Sequence, residues 1–231
     1  MSLQTLNRQQ IREVDRRAVE EYGMSSLVLM ENAGRGCTDK LLELGVAGPV
    51  VICCGKGNNA GDGFVVARHL DLRGAQVKVL LWSDPSELRG DAAANYRILV
   101  NSDVPIVVFD RAPDQANLDE QVAGADWIID ALLGTGARGE PRPPLDAVID
   151  RLNDHSAKKL AIDLPSGLDC DTGQPARHTF RADHTCTFVA AKPGFLLPDS
   201  GPYVGHVHVL DIGAPRKLVE EALRAANAGS T

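Results

Sequence analysis

The stretch Val50 to Leu70, VVICCGKGNNAGDGFVVARHL, reads as strand, loop and helix. The continuous apolar run 50–54 has the make-up of a strand buried on both faces. A glycine-rich turn over 55–63 follows, with glycines at 55, 57, 61 and 63 that permit positive φ and close backbone approach. The next apolar-periodic segment reads as a helix over about 62–72, whose first N–H groups lack partners inside the helix and can face a ligand. Four glycines alone establish only a tight turn. Asn58, Asn59 and Asp62 add two amides and a carboxylate at the carboxyl end of a buried strand, where open α/β sheets hold their ligands.

Around this stretch the chain has 231 residues, enough for one α/β domain spanning 1–231 with a full core. An apolar fraction of 44% and a charged fraction of 24% are those of a soluble globular protein. No apolar run approaches the roughly 18 residues a membrane span needs, and no export signal opens the sequence, so a cytoplasmic home is expected. The formal charge is −7, from 24 basic and 31 acidic residues, with no basic stripe to meet a phosphate backbone; nucleic acid is not an expected partner. Cys37, Cys53, Cys54, Cys170 and Cys186 are odd in number and lack CxxC spacing, which makes them small buried thiols rather than disulfides or a metal site.

Upstream, Asn7 and Gln10 have the form of a capping box, and Ile11, Val14 and Ala18 recur at helical spacing up to Gly23. A second helix is expected from Ser25 or Ser26, with a stripe of Met30, Ala33, Cys37, Leu41 and Leu44 ending at Gly45. Two helices thus precede the first strand, to cover the sheet or to pair with a second copy; Glu31 and Asn32 read as a solvated face. Downstream, strands are expected over 76–82, 104–109, 125–133 and 159–164, with helices over 92–99 and 144–152 between them. Further strands over 184–189 and 206–212 and a helix over 216–226 complete the chain. The alternation predicts a Rossmann-like, three-layer αβα, doubly wound and mostly parallel sheet with two extra N-terminal helices.

In such a sheet, loops at 55–63, 130–140 and 163–169 lie along one rim. They bring Asn59, Asp130, and Asp163 with Ser166, all oxygen donors, which suit a hard cation such as potassium, sodium or magnesium. Taken singly, Asp130 reads first as a helix or turn cap, and Asp163 reads equally as an Asx turn. A rival reading is an NAD-dependent dehydrogenase, since 55–60 fits GxGxxA, but a helix opening at Asp62 would put a carboxylate where the pyrophosphate binds. Walker and GxSxG patterns are not present in the sequence.

The segments DRRAVEEYG (15–23), LMENAG (29–34), GKGNNAGDG (55–63), IDALLGTG (129–136), LPSGLD (164–169) and KPG (192–194) resemble the YjeF N-terminal domain family nearly end to end. Ala60 stands where that family usually has glycine, and Glu140 where relatives carry other polar residues. The resemblance implies an isomerase, an NAD(P)H-hydrate epimerase of nicotinamide cofactor repair that interconverts the R and S forms of NADHX and NADPHX. It implies substrate-binding residues Asn58, Asn59, Ala60, Gly61 and Asp62, then Gly134, Thr135, Gly136, Ala137, Arg138, Gly139 and Glu140, and Asp163. It also implies potassium ligands Asn59, Asp130 and Ser166, a homodimer through the two N-terminal helices, and coupling to an NAD(P)HX dehydratase. Epimerisation needs a hydroxyl expelled and water returned to the other face, and Asp163 is the expected acid/base. Some proteins with this domain are partner-binding scaffolds, and the fold alone does not separate the two classes.

Overall fold

The computed structural model describes residues 4–109 and 115–228. In chain order the helices and strands are α1 (Arg8–Glu20), α2 (Ser26–Leu44), β1 (Val50–Cys54), α3 (Asn58–Leu72), β2 (Val77–Leu81), α4 (Gly90–Asn101) and β3 (Ile106–Val108). They continue as α5 (Gln115–Val122), β4 (Trp127–Ala131), α6 (Leu145–Asn153), β5 (Lys158–Ile162), β6 (His184–Phe188), α7 (Gly201–Val204), β7 (His206–Leu210) and α8 (Arg216–Ala228). The strands form one sheet in the order β3-β2-β1-β4-β5-β6-β7, and every neighbouring pair is parallel. The winding direction reverses between β1 and β4, and a crevice opens at such a switch point beyond the strand ends.

Alternation within the buried strands builds a core on each face. Val50, Ile52 and Cys54 of β1 join the core that takes side chains from α1, α2, α3 and α8. Val51 and Cys53 point the other way, to Leu118 and Val122 of α5 and to Val148, Ile149 and Leu152 of α6. The result is the expected three layers. All five cysteines are buried and free. Among the described residues no helix is long and apolar enough to cross a membrane.

The N-terminal helices are tied down inside the same chain. Asn7 and Gln10 form the capping box, each side chain accepting from the other's backbone N–H, at 2.9 and 2.8 Å. Met30, Ala33, Cys37 and Leu41 are buried and α2 packs on α3, so closely that a Cβ on Gly34 would lie 2.5 Å from Val65 Cβ. The stripe that suggested pairing with a second copy therefore serves the chain's own core. Glu31 and Asn32 are not a solvated face either: Glu31 binds Arg68 and His69 of α3, and Asn32 Nδ2 donates to the Ile212 carbonyl at 2.9 Å.

The opening stretch differs from its reading in two ways. Helix α3 starts at Asn58, with the Ala60 N–H bonded to the Gly57 carbonyl at 3.0 Å, so the turn is only 55–57 and Asp62 lies a full turn inside the helix. The four glycines do not adopt positive φ. Three of them serve close approach instead: a Cβ on Gly55 would sit 2.2 Å from the Leu132 carbonyl oxygen, on Gly61 2.6 Å from Met30 Sδ, and on Gly63 2.9 Å from Ala131 Cβ. Helix α5 was not anticipated from the sequence, although Leu118 and Val122 carry its i, i+4 signal.

Candidate active site

Three βα connections meet at the carboxyl ends of β1, β4 and β5. Asn59, in the first turn of α3, is 6% exposed and donates its Nδ2 to the Leu133 carbonyl after β4 at 3.1 Å. Its Oδ1 is buried and has no hydrogen-bond partner among the described residues. Gly134 lies between two of the functional side chains, since a Cβ there would be 3.1 Å from Asn59 Cβ and 3.2 Å from Asp163 Oδ2.

Below this junction, Asp130 is fully buried. Its Oδ2 accepts from the Ser166 N–H at 2.7 Å, and its Oδ1 accepts from Ser166 Oγ at 2.7 Å and from the Leu132 N–H at 3.1 Å. Burial raises its carboxyl to about 6, against the pull of those donors. Ser166 Oγ in turn accepts from the Leu133 N–H at 2.9 Å. Asp130 is thus more than a local cap, because it joins β4 to the loop after β5. The following Gly167 has φ +92 and a Cβ there would strike the His178 carbonyl oxygen at 2.3 Å, so only glycine lets this loop turn back onto Asp130.

Asp163 stands just past β5 with φ 68, a left-handed conformation uncommon for a residue with a side chain. Its N–H donates to the Cys186 carbonyl at 2.7 Å. Its Oδ2 accepts from the Thr135 N–H at 2.9 Å, a partner in another loop, which replaces the Asx-turn reading. Its Oδ1 lies 3.1 Å from Nζ of Lys192, a lysine with 0% side-chain exposure that also donates to the Phe188 carbonyl at 3.1 Å. Two donors, one of them the Lys192 amine, fix the direction of the Asp163 carboxyl.

Above the three loops runs a cleft of about 1250 Å³, room enough for a dinucleotide-sized ligand. Asn58, Asn59, Asp62, Asp163 and the whole run Gly134 to Glu140 line it. Ala60 and Gly61 do not: Ala60 is fully buried in the core and Gly61 packs on Met30. The methyl that distinguishes Ala60 from the family's glycine therefore faces the interior. Asp130 and Ser166 lie beneath the floor. Glu140, on the rim, accepts from the Arg177 N–H at 3.0 Å. Since α3 has no acidic residue in its first turn, its free N–H groups at Asn58 and Asn59 are open to an anion, and the charge objection drawn from Asp62 falls away. Asp62 itself is pushed well above the usual carboxylate range by burial, with Asp163, Asp15 and Asp91 adding repulsion.

Residues 26–194 match the family described as YjeF-related protein N-terminus. The chain belongs to that family. An NAD(P)H-hydrate epimerase of Pirellula staleyi is 48% identical, over 96% of this chain and 98% of its own length. One of Rhodopirellula baltica is 42% identical over 96% and 89%. The bifunctional NAD(P)H-hydrate repair enzyme Nnr of Salinibacter ruber is 40% identical over 90% of this chain, which matches 40% of that longer protein. The crystal structure of yeast ynu0, YNL200c, superposes with a TM-score of 0.76 at 22% identity, covering 95% of this chain and 93% of the other, and shares its fold. Within this YjeF-related domain the sequence reading missed three residues of the site. Lys192 was visible only as part of a KPG motif, Asp15 only as part of the 15–23 segment, and Arg8 carried no signal. Arg8 is buried and ties α1 to the cleft wall through the Ala137 carbonyl at 2.6 Å and Asp169 Oδ2 at 3.0 Å.

Proposed function

We propose that this chain is an NAD(P)H-hydrate epimerase that interconverts the R and S forms of NADHX and NADPHX. The observation that carries the reading is the relative of that name at 48% identity over 98% of its own length. In the cleft, the helix N–H groups of Asn58 and Asn59 bind phosphate oxygens of the substrate, and the backbone of 134–139 forms the opposite wall. Expulsion of the C6 hydroxyl as water leaves a cationic iminium, which the Asp163 anion stabilises at close range. Asp163 then takes a proton from the water that returns to C6.

Asn59, Asp130 and Ser166 fit a potassium ion, because the buried Oδ1 of Asn59 lacks a partner and the surrounding donor set is all oxygen. Among the described residues no group of three or more His, Cys, Asp or Glu could hold a metal ion, and an amide–hydroxyl–carboxylate site is of another kind. When bound, potassium supplies positive charge beneath the loops that face the phosphates. The reading includes coupling to a dehydratase that consumes one epimer. It also includes a homodimer on a different surface from the buried stripe, namely the exposed Val19, Tyr22, Leu27 and Val28 at the junction of α1 and α2.

Incubating the purified protein with the separated epimers of NADPHX and following each by chromatography tests the activity. Equilibration far faster than in a protein-free control is expected; a rate equal to that control would overturn the reading in favour of a scaffold.

A further inference from the structure

Epimerisation at C6 places two demands on the site that one side chain meets poorly. The hydroxyl leaves from one face of the ring with a proton, and water arrives at the other face and gives one up. Asp163 begins with a hydrogen-bond donor on each oxygen, which furnishes it as the base at the start of the forward reaction. Asp15 of α1 lines the same cleft, is exposed there, and among the described residues no hydrogen bond or ion pair engages its carboxyl. Its surroundings are apolar on the α2 side, where Leu29, Met30 and Ala33 share the wall with Phe188.

Resting on the epimerase reading, we propose that Asp15 is a second catalytic residue, the acid that protonates the leaving hydroxyl while Asp163 acts as the base for the incoming water. The proton passes from the Asp15 carboxyl to the C6 hydroxyl. The C6–O bond breaks with its electron pair leaving on water, and the ring nitrogen's lone pair forms the N1=C6 bond. A water oxygen then bonds to C6 on the opposite face, the π pair returns to nitrogen, and the water's proton goes to Asp163. The two carboxyls re-equilibrate through water in the open cleft, and the reverse reaction exchanges their roles.

The electrostatics agree with this division. Partial desolvation by the cleft walls raises Asp15 to about 6, with Asp163 raising it further and Lys192 opposing, although the residue itself is exposed in the open cleft. A value near neutrality suits a group that must both give and regain a proton. The groups that face it are Asp163 past β5, Lys192 past β6, Asp62 on α3, and Arg12 and Arg16 on its own helix, with Arg16 engaged by Glu13 and Glu20. Helix α2 brings only uncharged side chains. Of the other cleft carboxyls, Glu87 is committed to Lys56, Glu140 to the Arg177 N–H, Asp84 to the Ser86 N–H and Glu20 to Arg16, while Asp91 stands in the first turn of α4.

The test is epimerisation of NADPHX from pH 5 to 9 by wild type, Asp15→Asn and Asp15→Glu, with the protein-free rate subtracted. In wild type, kcat/KM should fall about tenfold per pH unit above the Asp15 pKa of about 6. Asp15→Asn should lower kcat by about 10²-fold or more with KM and melting temperature nearly unchanged, and should flatten that fall; Asp15→Glu should restore part of both. An Asp15→Asn enzyme within about threefold of wild type would overturn the proposal, as would a slow variant that keeps the wild-type pH profile. Wild type that does not exceed the control would overturn the epimerase reading and this one with it, a distinguishable result.

Discussion

Asp163 and Lys192 form a pair in which each residue answers a need of the other. A lysine with 0% side-chain exposure needs an anion, and a carboxylate in a left-handed backbone position needs its direction fixed. Asp163→Asn keeps the shape, since asparagine tolerates this backbone conformation, but removes the titrating group. Its kcat should fall on the order of 10²- to 10⁴-fold while NADPHX still binds. The same change strands the Lys192 ammonium, so denaturant unfolding should show a loss of roughly 3–5 kcal/mol. The double variant Asp163→Asn/Lys192→Met should be more stable than Asp163→Asn alone and equally slow. If the double variant is no more stable, the two residues are not energetically a pair. Asp163 was legible in the sequence because a carboxylate at the end of an apolar run has few structural uses. Lys192 was not, because its pairing depends on two loops 29 residues apart meeting after β5 and β6.

At the scale of elements, the site depends on how closely β1, α3 and the loop after β4 approach one another. Gly55 faces the Leu132 carbonyl so closely that a Cβ would lie 2.2 Å from that oxygen, whereas Gly57 has no atom within 4 Å of such a position and a negative φ. Gly55→Ala should therefore cost about 1–3 kcal/mol or more and weaken activity with it, while Gly57→Ala should stay within about 1 kcal/mol of wild type. Equal melting temperatures for the two variants would show that the loop after β4 yields easily. The strand–helix alternation was legible because buried parallel strands are continuous apolar runs, as at 50–54. The start of α3 was not, because GNNAGDG reads as a loop by composition. Its glycines admit a helix because Met30, Ala92 and Ala131 crowd against them, and nothing local announces that contact. For the same reason the α2 stripe left cover within the chain and pairing with a second copy both open, and its partner is α3 in the same chain.

Over the whole molecule, the strand order β3-β2-β1-β4-β5-β6-β7 makes neighbours of β1, β4 and β5, whose loops are separated by some 70 and 30 positions in sequence. Alternation of strands and helices predicted the class of sheet but not which strands would be central; that follows from right-handed crossovers winding both ways from β1. The consequence is that Asn59 in the first turn of α3, Asp130 in β4 and Ser166 in the loop after β5 come from three separate elements and are held together by few bonds. Asp130 and Ser166 satisfy each other, and Asn59 is left with a buried oxygen that nothing among the described residues satisfies. An unmet buried acceptor costs about 1–3 kcal/mol, so a cation that meets it should stabilise the native state and have little to bind in the unfolded one. With potassium chloride at about ten times its dissociation constant the gain is about 1.4 kcal/mol, or a rise of roughly 3–5 °C in melting temperature for a chain of this length. The comparison is tetramethylammonium chloride at matched ionic strength, which screens charge equally but is too bulky for the junction beneath Gly134. Wild type should melt higher in potassium, and Asn59→Leu, which lacks the oxygen, should melt at the same temperature in both salts. A wild-type difference below about 1 °C, or one that Asn59→Leu retains in full, would take the ion out of this site and leave Asp130 and Ser166 as a clasp between two loops.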